Sequence, residues 1–163
     1  MNKRTVITLI GATFGLIAVS QPARADMIAR YECSTAGFYS QEPIGDRPDH
    51  NLVTQDYVCV GVDGLLKGAV YSASNAVEWD GPKATIVFGG GVHRIPGGRL
   101  VTQLIEGSAQ AVMKDGKPIG VESSGKGIVK FGSGPFAGLS GKSVKFVTTP
   151  VNPIRFNLEF TAD

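Results

Sequence analysis

Three carboxylates, Glu32, Asp56 and Glu106, stand in segments whose composition is typical of β-strands. A carboxyl group enclosed among valines and leucines has a raised pKa, because burial disfavours the charged form and a second carboxylate nearby raises the pKa further. Such a group can act as a general acid near neutral pH. We therefore take these three residues as the candidate catalytic residues of an enclosed site.

The two cysteines, Cys33 and Cys59, bear on which way the first two carboxylates point. An even pair in an oxidising compartment predicts one disulfide. Successive residues of a strand point to opposite faces, so a disulfide on the outside of the sheet turns Glu32 and Asp56 inward. The residues that share this predicted inner face are Thr54, Val58, Val60 and Val62.

The third carboxylate, Glu106, shares a face with Leu100 and Leu104 if its strand is unbroken. Two alternatives stay open for all three residues. Acidic side chains in short strands usually lie at a rim or face water, and a disulfide on the inner face would turn Glu32 outward. Tyr57 and Tyr71 are interpreted as structural residues whose hydroxyls reach the surface.

Other kinds of site leave weaker signals. His50 and His93 are the only histidines, and neither has ligand spacing to a cysteine, so we predict no metal site. The segment 138–143 resembles the end of a phosphate-binding loop but lacks its first glycine. Gly89-Gly90-Gly91 resembles the glycines of an oxyanion hole, but the sequence contains no G-x-S-x-G nucleophile elbow that would use one. A Ser-His-Asp set stays open on composition, although His93 is interpreted as a solvated loop residue.

The rest of the chain predicts strands and turns. Asp115-Gly116 is typical of a two-residue hairpin turn, and residues 89–98 are predicted to form a glycine-rich loop. About eight strands at this spacing predict an all-β fold, either a sandwich or a single eight-stranded antiparallel β-barrel, and closure is favoured because it leaves no exposed edge. The named strand segments are 53–62, 65–73, 84–88, 100–113, 119–131, 142–148 and 154–160.

Residues 1–25 have the pattern of a secretory signal peptide. Lys3 and Arg4 precede the apolar stretch 6–19, and Ala23-Arg24-Ala25 fits a signal-peptidase site, so we expect cleavage between Ala25 and Asp26. The apolar stretch is too short to span a bilayer. The sequence thus predicts a secreted or periplasmic domain at 26–163, with no membrane span in the mature chain.

The length of the chain limits the number of domains, and its charge limits the classes of partner. A chain of 163 residues allows one domain. Without Lys3, Arg4 and Arg24, the 16 basic residues fall to 13 against 14 acidic ones, so the mature net charge is near −1. The mature lysines are scattered, and we therefore expect no nucleic-acid partner.

The segment Gly132-Ser133-Gly134-Pro135-Phe136-Ala137-Gly138-Leu139-Ser140-Gly141 resembles the G-x-G-x-F-x-G-x-x-G turn of the allene oxide cyclase family, which is related to the dirigent proteins. The resemblance extends over about 119–160 and implies an eight-stranded barrel with an apolar lumen, often trimeric, that works without metal or organic cofactor. The physical interpretation of the segment stands beside the resemblance: its glycines permit a tight, bulged strand connection, and Phe136 plugs one barrel end. In Tyr31-Glu32-Cys33-Ser34, Glu32 matches the family's glutamate and Ser34 stands where its asparagine would be.

Three functions are compatible with these observations. We favour a binding module that holds a small apolar molecule in the lumen, with Ser34, Val58 and Val60 as ligand contacts. The second is a cofactor-independent cyclase or isomerase that uses Glu32, assisted by Asp56 or Glu106. The third is a structural or interaction domain whose lumen is filled by its own side chains. A homo-oligomer, a trimer by resemblance, is compatible with each of them.

Overall fold

The computed structural model describes residues 26–163, and the predicted signal peptide at residues 1–25 lies outside this range. Eight strands and one short 3-10 helix, η1, make up the fold. They are β1 Met27–Pro43, β2 His50–Gly64, β3 Val70–Asp80, β4 Lys83–Ile95, β5 Gly98–Lys114, β6 Lys117–Gly132, η1 Gly134–Leu139, β7 Ser143–Asn152 and β8 Arg155–Ala162. Over residues 26–163, no helix has the length and apolar character needed to cross a bilayer.

The strands form one closed antiparallel barrel. Each strand pairs with the next along the chain, and β8 pairs with β1. This confirms the predicted fold class, and closure leaves no strand edge unpaired. The predicted hairpin between β5 and β6 is also present: Asp115 and Gly116 have φ angles of 52° and 73°, as a type I′ turn requires.

Two predictions of where strands begin or end are wrong. The predicted strand at 65–73 begins only at Val70, because residues 65–69 form a turn that places Leu66 in the core. The predicted loop at 89–98 is mostly strand, since β4 continues to Ile95. Glycine is required there by close approach: a Cβ on Gly91 would lie 2.3 Å from the backbone oxygen of Ser72 on β3.

The two ends of the barrel differ in packing. The end that carries the β2–β3, β4–β5 and β6–β7 connections is filled by a continuous core, which we call the closed half. Phe136 of η1 packs on this core, as the physical interpretation of its segment predicts, and Gly98 makes room, because a Cβ there would lie 2.7 Å from the Phe136 ring. The other end, the open half, has a smaller core cluster. The fully buried large side chains of the closed half include Tyr31, Leu66, Tyr71, His93, Leu100, Val129 and Val144.

Bulges shift the register at several places, and a bulge of one residue changes which residues point inward. The single extra residues Val87 on β4 and Ile105 on β5 reverse the alternation of the residues that follow them. The bulge on β1 between Thr35 and Tyr39 holds two extra residues and leaves the alternation unchanged. Face assignments from sequence alone therefore hold only up to the nearest one-residue bulge.

Candidate functional site

The disulfide pairs Cys33 with Cys59 as predicted, but it lies inside the barrel. The two cysteines occupy directly opposed positions of β1 and β2, with Cα atoms 4.0 Å apart. Their exposed fractions are only 2% and 1%, and both belong to the core of the closed half. The hypothesis of an outward-facing disulfide is wrong, because the apolar sulfur bridge is packed among aromatic rings rather than against water.

The inward disulfide reverses the predicted faces of its neighbours. Glu32 is exposed on the outside of the barrel, and Ser34 lies on the same outer face, paired with Val58. Val58 and Val60 are 40% and 52% exposed. The predicted lumen positions of Glu32, Ser34, Val58 and Val60 are therefore wrong. Because residues alternate between the two faces of a strand, the wrong face for the disulfide reversed the face assigned to each of its neighbours.

Asp56 also lies on the outer face, against the prediction. Its carboxylate accepts a hydrogen bond from the Ser74 hydroxyl at 2.6 Å and from the backbone N–H of Phe38 at 3.4 Å. Phe38 belongs to the β1 bulge, where Gly37 has a φ of 95°. Asp56 thus holds the bulge of β1 against β2 and β3.

Glu106 is exposed as well, and the bulge on β5 is the cause. Ile105 is the extra residue, so Glu106 and Leu104 fall on opposite faces even though they are two positions apart. The Glu106 carboxylate lies 3.8 Å from Lys126 on the outer surface. The structure therefore does not bring Glu32, Asp56 and Glu106 together in the lumen.

The open half encloses a cavity of about 720 Å³ that opens at the end of the barrel. On β2 the inward residues from Asn51 to Tyr57 line it along roughly 20 Å of strand. Among the lining residues that the structure describes, Asp49, in the β1–β2 connection, is the only charged one. The larger apolar lining residues include Val53, Val77, Trp79, Ile86, Leu104, Phe146 and Phe156.

Small inward residues on β4 and β5 leave this space empty. Gly89, Ala109 and Ala111 line the cavity where other strands place large side chains. A Cβ on Gly89 would meet Leu104 at 3.5 Å, which is ordinary contact, so the backbone there is not what requires glycine. The absence of a side chain at Gly89 therefore leaves lumen volume rather than relieving a backbone clash.

A chain of hydrogen bonds forms the floor of the cavity. The Tyr31 hydroxyl lies 2.7 Å from Nδ1 of His93, and Nε2 of His93 lies 3.0 Å from the Thr102 hydroxyl. Thr102 lies 3.2 Å from the hydroxyl of Tyr71, whose ring stacks on His93 at 3.9 Å. Tyr57 stands edge-on to Tyr71 at 5.9 Å, and both residues line the cavity. We call Tyr31, His93, Thr102 and Tyr71 the tyrosine–histidine chain.

Every member of this chain is uncharged at neutral pH. Burial lowers the pKa of His93 to about 3. Burial raises the pKa of Tyr31, Tyr57 and Tyr71, with Tyr71 as a second cause for Tyr31 and Tyr57. The interpretation of His93 as a solvated loop residue is wrong, since it lies on β4 and is 1% exposed.

Sequence reasoning missed the tyrosines of the floor. The prediction that Tyr57 and Tyr71 extend their hydroxyls to the surface is wrong, because both line the cavity. A signal was available. Each cysteine follows a tyrosine by two residues, in Tyr31-x-Cys33 and Tyr57-x-Cys59, so the tyrosines share the disulfide's face. Two aromatic rings on that face favour the interior.

Asn75 supplies a second polar point in the lumen, between the floor and the opening. It lies on the inner face of β3, flanked by Gln55 of β2 and Gly89 of β4. Its side-chain oxygen is buried and has no hydrogen-bond partner among the described residues. A buried polar atom without a partner is costly, so this atom is a candidate contact for a bound molecule.

The rim of the open half carries a cluster of charges on its outer side. His50 lies between Asp46, on Nδ1, and Glu78, whose oxygen is 2.8 Å from Nε2. Arg47 bridges Asp46 at 2.6 Å and Asp80 at 2.7 Å. The hydrogen bonds to Asp46 and then Glu78 raise the pKa of His50, and the bond to His50 lowers that of Asp46. These contacts fasten the β1–β2 connection to β3.

Within residues 26–163, no three His, Cys, Asp or Glu side chains are grouped closely enough to hold a metal ion. Comparison of the chain with protein-family models, with curated proteins and with solved structures finds no match.

Proposed function

We propose that this protein binds a small apolar molecule in the lumen of the open half. The observation that carries the proposal is the cavity of about 720 Å³, open at one end and walled mainly by apolar side chains. Small-molecule sites in proteins are typically of this size and composition, with a few polar groups that orient the ligand. The tyrosine hydroxyls of the floor and the amide of Asn75 are such groups.

Binding is favoured over the cyclase that the family resemblance implies. That activity requires Glu32 in the lumen, whereas its side chain is exposed on the outer face. The lumen residues that the structure describes contribute no carboxylate beyond Asp49 of the β1–β2 connection. Membership of the allene oxide cyclase family stays a prediction, as do the trimer and the absence of a cofactor.

The distribution of core residues also favours binding over a purely structural role. A structural barrel has no need to leave its lumen empty, and the closed half shows that this sequence can fill one. Gly89, Ala109 and Ala111, inward residues of β4 and β5, line the cavity of the open half. An empty apolar volume is unfavourable on its own, because its lining loses contacts, so a ligand would recover stability.

We further propose that the protein works outside the cytoplasm. The disulfide favours an oxidising compartment, and the pattern of residues 1–25 predicts export. N-terminal sequencing of the protein from an extracytoplasmic fraction should begin at Asp26. A chain that keeps Met1 and stays in the cytoplasm would contradict this proposal.

The ligand proposal is tested with N-phenyl-1-naphthylamine, an apolar probe that becomes fluorescent in apolar surroundings. Trp79 is the only tryptophan of the chain and lines the cavity, so a bound probe should quench its emission. Gly89→Leu fills the lumen and should weaken binding at least tenfold. Native mass spectrometry of the isolated protein would show any ligand retained from the cell, and also the oligomeric state.

Thr85→Leu is the matched control, because it places the same side chain on the outer face of the same strand. This variant should bind the probe as the unmodified protein does. Absence of probe binding to the unmodified protein, or equal binding to the Gly89→Leu variant, would overturn the proposed function.

A further inference from the structure

The tyrosine–histidine chain has one proton more than it has internal hydrogen bonds. Its four members carry four donor hydrogens: two tyrosine hydroxyls, the Thr102 hydroxyl and one ring N–H of neutral His93. These groups are joined by three hydrogen bonds. One hydrogen must therefore be directed out of the chain, wherever the others lie.

Burial decides at which end this hydrogen lies. Tyr31 is fully buried, and His93 is its only hydrogen-bond partner among the described residues, so its O–H must be donated to Nδ1. His93 then carries its hydrogen on Nε2 and donates it to Thr102. The surplus hydrogen is left to Thr102 and Tyr71, which both line the cavity, and the hydroxyl of Tyr57 lines the cavity beside them. The floor of the lumen thus offers O–H donors to whatever is bound.

The surroundings of these donors determine the charge of the group they can bind. No lysine, arginine or histidine is among the residues that line the cavity, and His93 behind the floor is neutral. A carboxylate or phosphate bound there would lose its hydration without gaining an opposite charge. A neutral oxygen, by contrast, needs only one donor, and the hydroxyls of the floor provide it.

A pure hydrocarbon would leave the surplus hydroxyl hydrogen of the floor without an acceptor. The unpartnered side-chain oxygen of Asn75 is itself an acceptor, so it does not contribute to the recognition of a carbonyl oxygen. The rest of the cavity wall is mainly apolar. The cavity is therefore better matched by an oxygenated apolar molecule than by a plain hydrocarbon.

We propose that the lumen selects apolar molecules with a neutral carbonyl oxygen at their deeply bound end, which accepts a hydrogen bond from the hydroxyls of Tyr57 and Tyr71. The ketones, aldehydes and esters are the chemical classes that fit. This inference rests on the proposed function and specifies its ligand. The tyrosines act here as specificity-determining residues.

The test compares 2-acetylnaphthalene with 2-ethylnaphthalene as competitors for bound N-phenyl-1-naphthylamine. The two competitors have nearly the same shape, and only the first has a carbonyl oxygen. One net hydrogen bond between neutral groups should make the ketone about 3- to 10-fold the stronger competitor. In Tyr57→Phe/Tyr71→Phe the ratio should fall to about 1. Tyr39→Phe is the control and should keep the ratio, since the Tyr39 hydroxyl bonds Gln41 in the outer part of the lumen.

A second measurement uses only the unmodified protein, so its result does not depend on whether the double variant folds. The carbonyl stretching band of 2-acetylnaphthalene bound to the unmodified protein should lie at lower frequency than in an apolar solvent, because hydrogen bonding weakens the carbonyl bond. An unshifted band, equal competition by the two naphthalenes, or a ratio that persists in a folded double variant would overturn this inference and leave the proposed function standing. Failure of N-phenyl-1-naphthylamine to bind at all would overturn the proposed function instead.

Discussion

The two halves of this barrel are built from the same eight strands but are packed in opposite ways. In the closed half, inward positions hold tyrosines, the disulfide and large aliphatic side chains, and little space remains. In the open half, three inward positions of β4 and β5 hold glycine or alanine, namely Gly89, Ala109 and Ala111, and the cavity remains. The comparison shows that closure of a small barrel does not by itself determine whether its lumen is filled or hollow. The size of the inward side chains on β4 and β5 determines it.

The two histidines of the chain sharpen this contrast, since each half has one. His93 lies among apolar groups of the closed half, where burial lowers its pKa. His50 lies at the rim of the open half between two carboxylates, and its hydrogen bonds to them raise its pKa. The same residue type is thus held neutral in one half and favoured as a cation in the other.

The largest expected effect comes from one substitution made in each half of β5. Leu100→Ala in the closed half should lower the free energy of unfolding by about 3 kcal/mol, because Leu100 is 1% exposed and its loss leaves a sealed void. Leu104→Ala should cost about half as much or less, because its side chain already borders an open cavity. Urea unfolding of both variants measures the difference, and equal losses would show that the halves do not differ in packing.

An effect of intermediate size concerns pH and His93. The unfolded chain takes up a proton on this residue below about pH 6.5, whereas the folded chain does so only near its lowered pKa of about 3. The stability that neutral His93 contributes is therefore present above about pH 6.5 and is lost as the pH falls. From pH 7 to pH 5 this loss should be about 2 kcal/mol. His93→Gln, which does not titrate, should abolish it in urea unfolding at the two pH values.

The smallest expected effect has the opposite sign and concerns His50. Its pKa is raised in the folded state, so its contribution is present below about pH 6.5 and is lost as the pH rises through the folded value. His93→Gln should therefore be slightly more stable at pH 5 than at pH 7. In His50→Gln, the destabilisation on acidification should be steeper than in the unmodified protein. A His50→Gln variant with an unchanged pH dependence would contradict this account of the rim.

Particular residues show why the fold was easier to predict than the site. The alternation of Phe156, Leu158 and Phe160 and the Asp115-Gly116 turn are local signals, and the structure confirms both. The lumen faces of Glu32 and Asp56 depended on one assumption about the disulfide, and that assumption was wrong. The face of Glu106 depended on a strand without a bulge, and nothing in the sequence marks Ile105 as the extra residue.

The sequence by itself determined the all-β class, the single barrel, the pairing of Cys33 with Cys59 and the hairpin turns, because strand propensity, turn chemistry and an even cysteine count act locally or by simple counting. Only the tertiary structure decided which face of each strand looks inward. It also decided that His93, Thr102 and two tyrosines meet in one chain, although they come from β1, β3, β4 and β5. The physical reason is that alternation fixes relative faces along one strand, whereas inside and outside are set only when eight strands close and bury one face together.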